Sequence, residues 1–581
     1  MRIRLLSIAV AVSALVACQS APAPTPISPD YERVRVKSRT LVNDDFEDTW
    51  IRPPGRGPVS IAGTAPEGWS YQSESDGRVV FSPAVFDDTD TALQIDVVEH
   101  SGPFRFVRVL EFTGDEQAKE SLFSGSMLVA GREGTRIHVV FKNDNASGPH
   151  GDYYLRRTVE LTEEWQELRF VSSYVDSATV AVGVEIEGPG RIYLDDVLLN
   201  QEPADYLAEL APVEGPIPIE FFGMHFGLRV PHLTFGSSRL WGQWYKLEES
   251  KGEWTRDLLL LDRFVETGYE AGKRNIMVVG RVPRWANSKP EEEIGDVRGT
   301  TGPPVNIEDW KDYIRELGTR YQGKVNHWEI WNEPNSPSHY TGDIFQLVEL
   351  VAAAREVLLS IDPENVIISP PFYDNGAWLD DFLFHGGGKH VDVIGYHWYA
   401  HSPEESLREI VAINRLLAFH GVDDKPVYNT EAATGEEATL PDAGKTARLF
   451  LVNWAAGVSN LNWFYWGNVP RHPKAPIQAV ESNDEVSIIG EGYNTVADWM
   501  IGAEMTDVEV LADGTWKAYL KRREGTTVAV WNPVGLSSIP LPDEWTITRA
   551  VNTIGEAVPV PTGERLDVSP LPILYEISTG D

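Results

Sequence analysis

The sequence predicts a multidomain protein with an N-terminal β-sandwich, a central (β/α)8 barrel and a small C-terminal β-sandwich domain. Apolar residues alternate with polar ones from about residue 42 to 200, and short apolar segments alternate with amphipathic helices from about 215 to 500. Period-two alternation then returns as far as the C-terminus. With 581 residues, the chain is long enough for two or three domains with complete cores.

Composition narrows the class of partner. Hydrophobic residues make up 42% and aromatic residues 10% of the chain, which is typical of a globular protein. The formal net charge is -37. Nucleic-acid binding needs a basic face for the phosphates, so this charge argues against that class of partner.

The N-terminus predicts a lipoprotein signal peptide over residues 1–18. Arg2 and Arg4 precede an apolar run that is too short to span a bilayer permanently, and the run ends in LVAC, which resembles a bacterial lipobox. Cys18 is the only cysteine and the expected lipidation site. The Pro-rich residues 19–39 read as a linker. We therefore expect a lipid-anchored protein of the bacterial cell envelope, at the outer membrane, with ordinary cleavage and secretion as the alternative.

Residues 40–202 carry the pattern of a β-sandwich. The segment from Val180 to Ile186 alternates apolar with small or polar residues, and ASGPHG and EGPGR are turn signals. The opening NDDFED and closing RIYLDDVLLN resemble the two ends of a jelly-roll carbohydrate-binding module. Several aromatic residues are candidate sugar platforms, with a place in the core as the alternative: Trp50, Trp69, Trp165, Tyr153 and Tyr154. Asp44, Glu47 and Asp195 are candidate ligands of a structural calcium ion.

Residues 215–500 carry the barrel pattern. IEDWKDYIRELGTRY places apolar residues on one face of a helix. Eight segments are strand candidates, and strands alternating with helices predict a (β/α)8 barrel. In chain order they are FFGMHFG, SSRLWG, NIMVVGR, VNHWEIWNE, NVIISP, VDVIGYHWY, PVYNTEA and SNLNWFYWG. Residues 501–581 return to alternation, which predicts the C-terminal β-domain.

The fourth strand candidate contains two glutamates. Function in such barrels lies at the C-terminal ends of strands, so Glu333 is the candidate for chemistry. Glu329 lies four residues earlier, about 13 Å deeper at roughly 3.3 Å per residue, and is expected to be buried. We expect Pro334 to end the strand because it has no N–H to donate.

A second carboxyl group lies at the end of the seventh strand. Glycoside hydrolysis usually needs two carboxyl groups that flank the scissile bond, and Glu431 is the candidate for the second. Glu436 and Glu437 are alternatives in the loop that follows, where solvated charge is the ordinary interpretation.

The motifs at the strand ends together resemble those of a known enzyme superfamily. WEIWNEPN ending strand four, together with a glutamate ending strand seven, resembles the clan A retaining glycoside hydrolases across about residues 217–500. The segments GMHFG, RLWGQWYKLE, VPRWA, GYHWYA and FYWG fall where that superfamily places substrate contacts. WYKLEESKGEW and the C-terminal β-domain look most like family 39.

The resemblance implies roles for individual residues. Glu333 would be the acid/base, Asn332 the donor to the sugar 2-hydroxyl, and Glu431 the nucleophile. A general acid must be protonated, so we expect an environment that raises the pKa of Glu333, supplied by Trp331 and its neighbours. Glu431 must stay ionised. We expect Arg239, His397 and Tyr399 to keep it so, although a satisfied core histidine is the alternative for His397.

The remaining wall of the site is predicted from aromatic and imidazole side chains. Trp466 is the expected floor of the sugar site, with Trp463 and Trp285 as rivals, and His225 and Trp241 complete the wall. Tyr396 has the opposite parity and is a weaker candidate. No HExxH, Cys/His cluster or glycine-rich phosphate loop stands out, so we expect no cofactor and no metal in the barrel.

Alternatives of other classes follow from the same residues. A surface lipoprotein that captures glycans with an inactive barrel is one, and a transglycosylase that uses the same carboxylates is another. The loop after strand three leaves endo and exo action both open. Its basic residues are candidates for pairing with a uronate, with ordinary surface placement as the alternative: Arg281, Arg284 and Arg298.

Overall fold

The computed structural model describes one compact unit within Val36–Asp581. The described residues are 38–47, 49–87, 90–112, 121–144, 153–173, 175, 177–225, 229–295, 297–373, 376–399, 402–434, 439–464, 479 and 485–579. Several residues singled out above lie outside this set, namely Cys18, Glu436, Glu437 and Trp466. None of the helices in the described part of the chain is both long and apolar enough to cross a bilayer.

The N-terminal strands form two mainly antiparallel sheets with β4 and β3 as parallel edge strands, and β2 pairs with β5 in a separate short ladder. The seven-stranded sheet has the order β13-β10-β15-β8-β7-β4 with β1 added on β15, and the six-stranded sheet has the order β12-β11-β14-β9-β6-β3. The strands are β1 Arg39–Asp44, β2 Trp50–Ile51, β3 Gly55–Arg56, β4 Ser60–Gly63, β5 Ala65–Pro66, β6 Trp69–Ser73, β7 Gly77–Asp87, β8 Asp90–His100, β9 Phe104–Glu111, β10 Ser121–Gly131, β11 Arg136–Asn143, β12 Tyr153–Glu160, β13 Gln166–Val171, β14 Thr179–Ile186 and β15 Gly190–Pro203.

Most aromatic residues proposed as sugar platforms are buried. Trp69 is fully buried and stacks on Phe106 in the core between the sheets, and Tyr154 belongs to the same core. Tyr153 is buried in a separate apolar cluster that includes Ala377 of the barrel. A buried ring cannot stack on a sugar, so the platform interpretation is wrong for these three, whereas Trp50 and Trp165 are only partly buried.

The candidate calcium ligands have partners within the protein. Asp44 Oδ2 accepts hydrogen bonds from the Trp69 indole at 2.6 Å and from Arg108 Nη1 at 2.8 Å. Glu47 Oε1 accepts the Thr91 N–H at 2.7 Å. Among the described residues, the structure does not bring Asp44, Glu47 and Asp195 together as a group of ligands.

The central strands form one parallel sheet with the order β22-β21-β20-β17-β16-β26-β25-β24-β23. These strands are β16 Phe222–Met224, β17 Ser237–Gln243, β20 Arg274–Gly280, β21 His327–Ile330, β22 Val366–Ile368, β23 Phe372–Tyr373, β24 Ile394–His397, β25 Val427–Ala432 and β26 Val458–Trp463, with β18 Glu248–Ser250 and β19 Glu253–Trp254 as a small hairpin. Each lies within or next to one of the predicted strand segments, except for the hairpin.

The fifth strand of the barrel is in two pieces, and only the first, β22, lies within the predicted segment NVIISP. β22 pairs with β21, and β23 pairs with β24. A parallel bridge between Ile368 and Val393 joins the two ends of the sheet, so the strands close on themselves as in a (β/α)8 barrel. The prolines of SPPF between the two pieces have no N–H for a ladder, which explains the interruption of the strand.

Eight helices connect and cover these strands in the described part of the chain. They are α1 Trp244–Leu247, α2 Arg256–Glu270, α3 Ile307–Arg320, α4 Ile344–Ile361, α5 Ala377–Phe384, α6 Ser406–Phe419, α7 Leu440–Ala455 and α8 Ile488–Met500. The predicted apolar face of α3 is confirmed, because Trp310, Tyr313, Ile314 and Leu317 are all buried. Asn306 caps this helix by accepting the Glu308 N–H.

The C-terminal residues form a five-stranded antiparallel sheet, β27-β28-β29-β33-β31, and a two-stranded sheet, β30-β32. The strands are β27 Glu504–Val510, β28 Trp516–Arg522, β29 Gly525–Trp531, β30 Ser537–Pro540, β31 Trp545–Asn552, β32 Arg565–Val568 and β33 Ile573–Thr579. Trp516 and Trp531 stack on each other and belong to the same apolar core as the barrel.

A buried ion pair joins the sandwich to the barrel. Arg157 of β12 donates to Asp380 of α5 through Nε at 2.9 Å and Nη2 at 2.6 Å. The two side chains are 2% and 1% exposed. His420 Nε2 lies 2.9 Å from Asp380 Oδ1, and the Arg157 guanidinium lies over the ring of Phe384. The contact is therefore closed to solvent, and both carboxylate oxygens of Asp380 accept hydrogen bonds.

Candidate active site

Glu333 and Glu431 meet at the C-terminal ends of the barrel strands. One carboxylate oxygen of each residue and one ring nitrogen of His397 all lie within 4.8 Å of one another. The side chains of Glu333 and Glu431 are 14% and 10% exposed. This is the only group of three His, Cys, Asp or Glu residues that converges in this way in the described ranges. Its oxygens are already paired with donors from the protein, as expected of two working carboxyl groups.

Glu333 does not lie in the strand, contrary to the expectation that Pro334 ends it. β21 ends at Ile330, and the Trp331 N–H makes a last bond of 2.7 Å to Val279 O. Trp331 and Glu333 then have φ angles of 72° and 45°. Positive φ is uncommon for residues other than glycine, and such strain clusters at functional sites. The chain therefore turns after Ile330, and the turn delivers the Glu333 carboxyl group.

Trp331 supports this strained turn. Its side chain is fully buried, packs edge-on against Tyr340 and donates from Nε1 to His339 O at 3.2 Å. Gly280 at the end of β20 has a φ of 148°, and a Cβ there would lie 3.2 Å from Trp331 Cα. Any residue larger than glycine at position 280 would therefore crowd the backbone of Trp331 in the turn. Trp331 acts as an anchor for the backbone that carries Glu333.

Arg239 of β17 links three polar residues beneath the mouth. It donates to Glu431 Oε2 from Nη1 at 2.9 Å and to Asn332 Oδ1 from Nη2 at 2.7 Å. Its Nε and Nη2 also donate to Glu329. Both Arg239 and Glu329 have fully buried side chains. Burial alone would lower the pKa of Arg239. The carboxylates of Glu329 and Glu431 stabilise its positive charge, so this pKa is raised instead.

The contact with Arg239 also orients the Asn332 amide. Asn332 Oδ1 accepts from the guanidinium, so its Nδ2 group is left as the donor. The resemblance assigned Asn332 as a donor to a sugar hydroxyl, and this orientation fits that role.

Tyr399 holds the other oxygen of Glu431. Its hydroxyl donates to Glu431 Oε1, and its ring packs edge-on against Phe464 at a centroid distance of 6.1 Å. Burial and the charge of Glu431 raise the pKa of Tyr399 well above its ordinary value. The hydroxyl therefore stays protonated and remains a donor. Arg239 and Tyr399 together leave Glu431 with one charged and one neutral donor.

His397 contacts Glu333 rather than the expected Glu431. Its Nδ1 lies 2.8 Å from Glu333 Oε1 and its Nε2 lies 3.0 Å from Thr430 Oγ1. The register between β24 and β25 shifts between Tyr396 and His397, and the shift places Thr430 beside the ring. The ring is fully buried and both of its nitrogens have partners, as the alternative of a satisfied histidine describes, and one of these partners is a carboxyl group at the mouth.

The environment of Glu333 also differs from the expectation. Burial favours the protonated form, but the neighbouring imidazoles of His339 and His397 outweigh it, so the pKa of Glu333 lies below its ordinary range in the ligand-free site. Trp331 was expected to raise this pKa, yet its indole is directed to His339 O. The two imidazoles, rather than the apolar wall, determine the charge of Glu333.

His339 is a site residue that the sequence analysis missed. Its Nδ1 lies 3.2 Å from Glu333 Oε2, and its side chain is 26% exposed. Two consecutive turns, Ser336 N to Glu333 O and His339 N to Ser336 O, fold the loop back onto the carboxyl group. An imidazole six residues beyond Glu333 in a loop rich in Pro, Asn and Ser was the available signal.

His225 and Trp241 lie on the wall next to Arg239. His225 Nε2 donates to Thr430 O at 3.2 Å, and its pKa is lowered well below the ordinary value by burial and by the charge of Arg239. The ring is therefore neutral. Trp241 is 36% exposed, and the Arg239 guanidinium lies 4.8 Å from its ring centroid. Trp241 is thus an accessible aromatic surface beside Arg239 and His225.

Three further candidates are placed away from this group of contacts. Trp463 is fully buried, so its role as a sugar floor is wrong. Trp285 packs edge-on against Trp244 and donates to Glu248 O at 3.3 Å. Tyr396 donates to Asn453 Oδ1 of α7 at 3.0 Å, consistent with its opposite parity.

The fold is similar to that of known glycoside hydrolases. No family model and no curated protein sequence matches the chain. A family 39 glycoside hydrolase from the gut symbiont Bacteroides cellulosilyticus WH2 aligns with a TM-score of 0.50 at 14% identity, over 90% of this chain and 99% of that chain. A monomeric β-xylosidase from Caulobacter crescentus CB15 gives 0.47 at 14% identity, over 63% and 98%. At 14% identity, the alignment with the family 39 glycoside hydrolase shows a shared fold.

Proposed function

We propose that this protein is a retaining glycoside hydrolase in which Glu431 is the nucleophile and Glu333 the acid/base. The observation that carries the proposal is the short separation of the two carboxylates, which have oxygens within 4.8 Å of each other. Retaining enzymes hold the two carboxyl groups about 5–5.5 Å apart, and inverting enzymes about 6.5–9.5 Å apart, to admit a water molecule. The fold shared with a family 39 glycoside hydrolase supports the same class.

In the first step, a Glu431 oxygen attacks the anomeric carbon while the bond to the leaving oxygen breaks. Arg239 and Tyr399 each donate a hydrogen bond to one oxygen of Glu431 and so fix its orientation. Asn332 Nδ2 donates to the neighbouring sugar hydroxyl, a bond that strengthens in the transition state. Glu333 supplies the proton to the leaving oxygen.

In the second step, Glu333 acts as a base and removes a proton from water, and the water oxygen bonds to the anomeric carbon as the bond to Glu431 breaks. The His397 ring suits both steps. Its Nδ1 donates to the carboxylate in one tautomer and accepts from the carboxylic acid in the other, and Thr430 Oγ1 can accept from or donate to Nε2 accordingly. The lowered pKa of Glu333 in the ligand-free site favours the base form that the second step needs.

The first test is stereochemical. A screen on aryl glycosides and on bacterial and plant polysaccharides identifies a substrate, and NMR of the anomeric proton during early hydrolysis then reports the configuration of the first product. We expect retention. A first product of inverted configuration contradicts the double-displacement mechanism.

The second test separates the two roles. Glu333→Ala should still form the glycosyl-enzyme from substrates whose leaving group needs no protonation, and azide should restore turnover and yield a glycosyl azide of retained configuration. Glu436→Ala and Glu437→Ala are matched controls, five and six residues after Glu431 in the sequence, and should keep nearly the full rate. Azide rescue of either control instead of Glu333→Ala contradicts the assignment.

We also propose that Cys18 is lipidated and anchors the protein in the bacterial cell envelope, as the signal and lipobox pattern supports. Labelling of cells with a palmitate analogue should mark the wild-type protein and not Cys18→Ser. A chain that starts at Val36 should hydrolyse substrate like the full chain. Loss of activity in that shortened chain contradicts an anchor that is separate from catalysis.

A further inference from the structure

Tyr373 lies at the mouth of the barrel, in the second piece of the split fifth strand. Its neighbour Phe372 is buried and faces α5, where it contacts Trp378 at a centroid distance of 6.4 Å and Phe382 at 5.9 Å. Successive side chains of a strand point to opposite faces. Tyr373 therefore points away from the helix and toward the mouth, and it is 39% exposed.

The loop that carries the acid/base fixes the backbone of Tyr373. Asn335 Nδ2 donates to Tyr373 O at 2.6 Å, and the Tyr373 N–H donates to Asn335 Oδ1 at 3.1 Å. The amide thus pairs with both backbone groups of one residue, as a neighbouring strand would. Asn335 follows Glu333 by two residues, so the same loop sets the positions of the carboxyl group and of the aromatic ring.

The strand register places Tyr373 on the Glu333 side of the site. Tyr373 is level with His397 on the next strand, and His397 is level with Glu431 on the strand beyond. Glu333 follows β21, which pairs with the first piece of strand five. Tyr373 therefore lies beside the acid/base and is separated from the nucleophile by the His397 strand.

We propose that Tyr373 is the platform for the sugar on the leaving-group side of the scissile bond, which assigns oligosaccharides or polysaccharides as the substrate class. The inference rests on the proposed function. The acid/base protonates the oxygen of the leaving group, so the leaving sugar lies on the Glu333 side, where the Tyr373 ring can contact its C–H face.

The same platform would hold an acceptor in the second step. A sugar hydroxyl bound there gives its proton to Glu333, and its oxygen bonds to the anomeric carbon as the bond to Glu431 breaks. Water and sugar thus compete for one position. Tyr373 would influence the partition between hydrolysis and transfer.

The experiment compares leaving groups of different size. β-Glycosyl fluorides of xylose, glucose, galactose and mannose release fluoride, which is too small to reach Tyr373, whereas the matching (1→4)-linked disaccharides release a sugar. The readout is the ratio of kcat/KM for the disaccharide to kcat/KM for the fluoride. Tyr373→Ala should lower this ratio about three- to tenfold, the range expected for one aromatic contact. Tyr373→Phe should restore it.

Tyr269→Ala is the matched control, because Tyr269 is 50% exposed on α2 at the outside of the barrel. It should leave the ratio as in the wild type. A ratio in Tyr373→Ala equal to that of the wild type overturns the proposal, as does a wild type that hydrolyses fluorides but no disaccharide. A wild type that hydrolyses neither overturns the proposed function itself.

Discussion

A buried arginine lies next to a carboxylate and a histidine both at the barrel mouth and at the contact between sandwich and barrel. The two groups differ in the number of carboxylates that each arginine contacts. Arg157 pairs with the single carboxylate of Asp380, and both side chains are almost fully buried. Arg239 contacts two carboxylates, Glu329 and Glu431, and the second of these is 10% exposed. One arginine has a single carboxylate partner in a closed contact, whereas the other has two, and one of these faces the mouth.

This difference separates a structural ion pair from a reactive one. A buried pair adds little net stability, but removal of one partner costs about 3–5 kcal/mol because a buried charge is left alone. Removal of Arg157 or of its partner should therefore lower the free energy of unfolding. At Arg239 the deep Glu329 supplies the structural partner, so Glu431 is available for chemistry and its loss should appear as rate.

The largest expected effect is on Glu431. Glu431→Gln keeps the size of the side chain and an oxygen that accepts from Arg239, but it removes the nucleophile. We expect turnover to fall by about 10⁴-fold or more, while the free energy of unfolding changes by less than about 1 kcal/mol. Steady-state kinetics and urea unfolding measure the two quantities. A variant that retains a hundredth of the wild-type rate is inconsistent with Glu431 as the nucleophile.

Arg239→Met should affect both quantities. Turnover should fall by about 10²–10³-fold because Glu431 and Asn332 lose their donor, and the free energy of unfolding should fall by about 3–5 kcal/mol because Glu329 is left buried and charged. The double variant Arg239→Met with Glu329→Gln should recover most of the stability and none of the rate. Recovery of rate in the double variant argues against a direct role of Arg239 at Glu431.

Asp380→Asn should affect stability alone. The pKa of Asp380 is lowered, because Arg157 and His420 outweigh the burial that would raise it. Its contribution is therefore full above the usual aspartate pKa of about 3.9 and is lost as the pH falls through the lowered value. At pH 7 the free energy of unfolding should fall by about 3–5 kcal/mol, and this deficit should shrink in acid.

The matched control for Asp380→Asn is a surface pair. Asp312→Asn removes the partner of Arg315, and those side chains are 56% and 50% exposed. Urea unfolding should then show a change below about 1 kcal/mol. If Asp380→Asn and Asp312→Asn lose similar amounts of unfolding free energy, solvent screens the Arg157 contact as it screens a surface pair. Turnover per folded molecule should be that of the wild type in both.

The smallest expected effect is on His339. His339→Asn removes an imidazole that lowers the pKa of Glu333, so this pKa should rise and the alkaline limb of kcat/KM against pH should move to higher pH. His397, Arg239, Tyr399 and Glu431 also face this carboxyl group and stay in place. His390→Asn is the control, because His390 precedes β24 at the opposite ends of the strands. A limb that moves to lower pH contradicts the role of His339.

Much of the fold and the identity of the two carboxyl groups could be predicted from local patterns. The change of period near residue 215 marks the passage from sandwich to barrel, and the strand-end rule selects Glu333 and Glu431 over Glu329. These predictions need only neighbouring residues. The split of strand five was missed, although Pro370 and Pro371 lie within its span.

The partners of the site residues could not be predicted in the same way. The sequence places His397 at a strand end, but only the shifted register between β24 and β25 and the turn at Trp331 decide that its ring contacts Glu333. The direction of the Glu333 pKa follows from those contacts and not from the apolar residues beside it in the chain. Residue types and strand order are local properties of the sequence. Hydrogen-bond partners depend on how distant strands align, which is decided when the barrel closes.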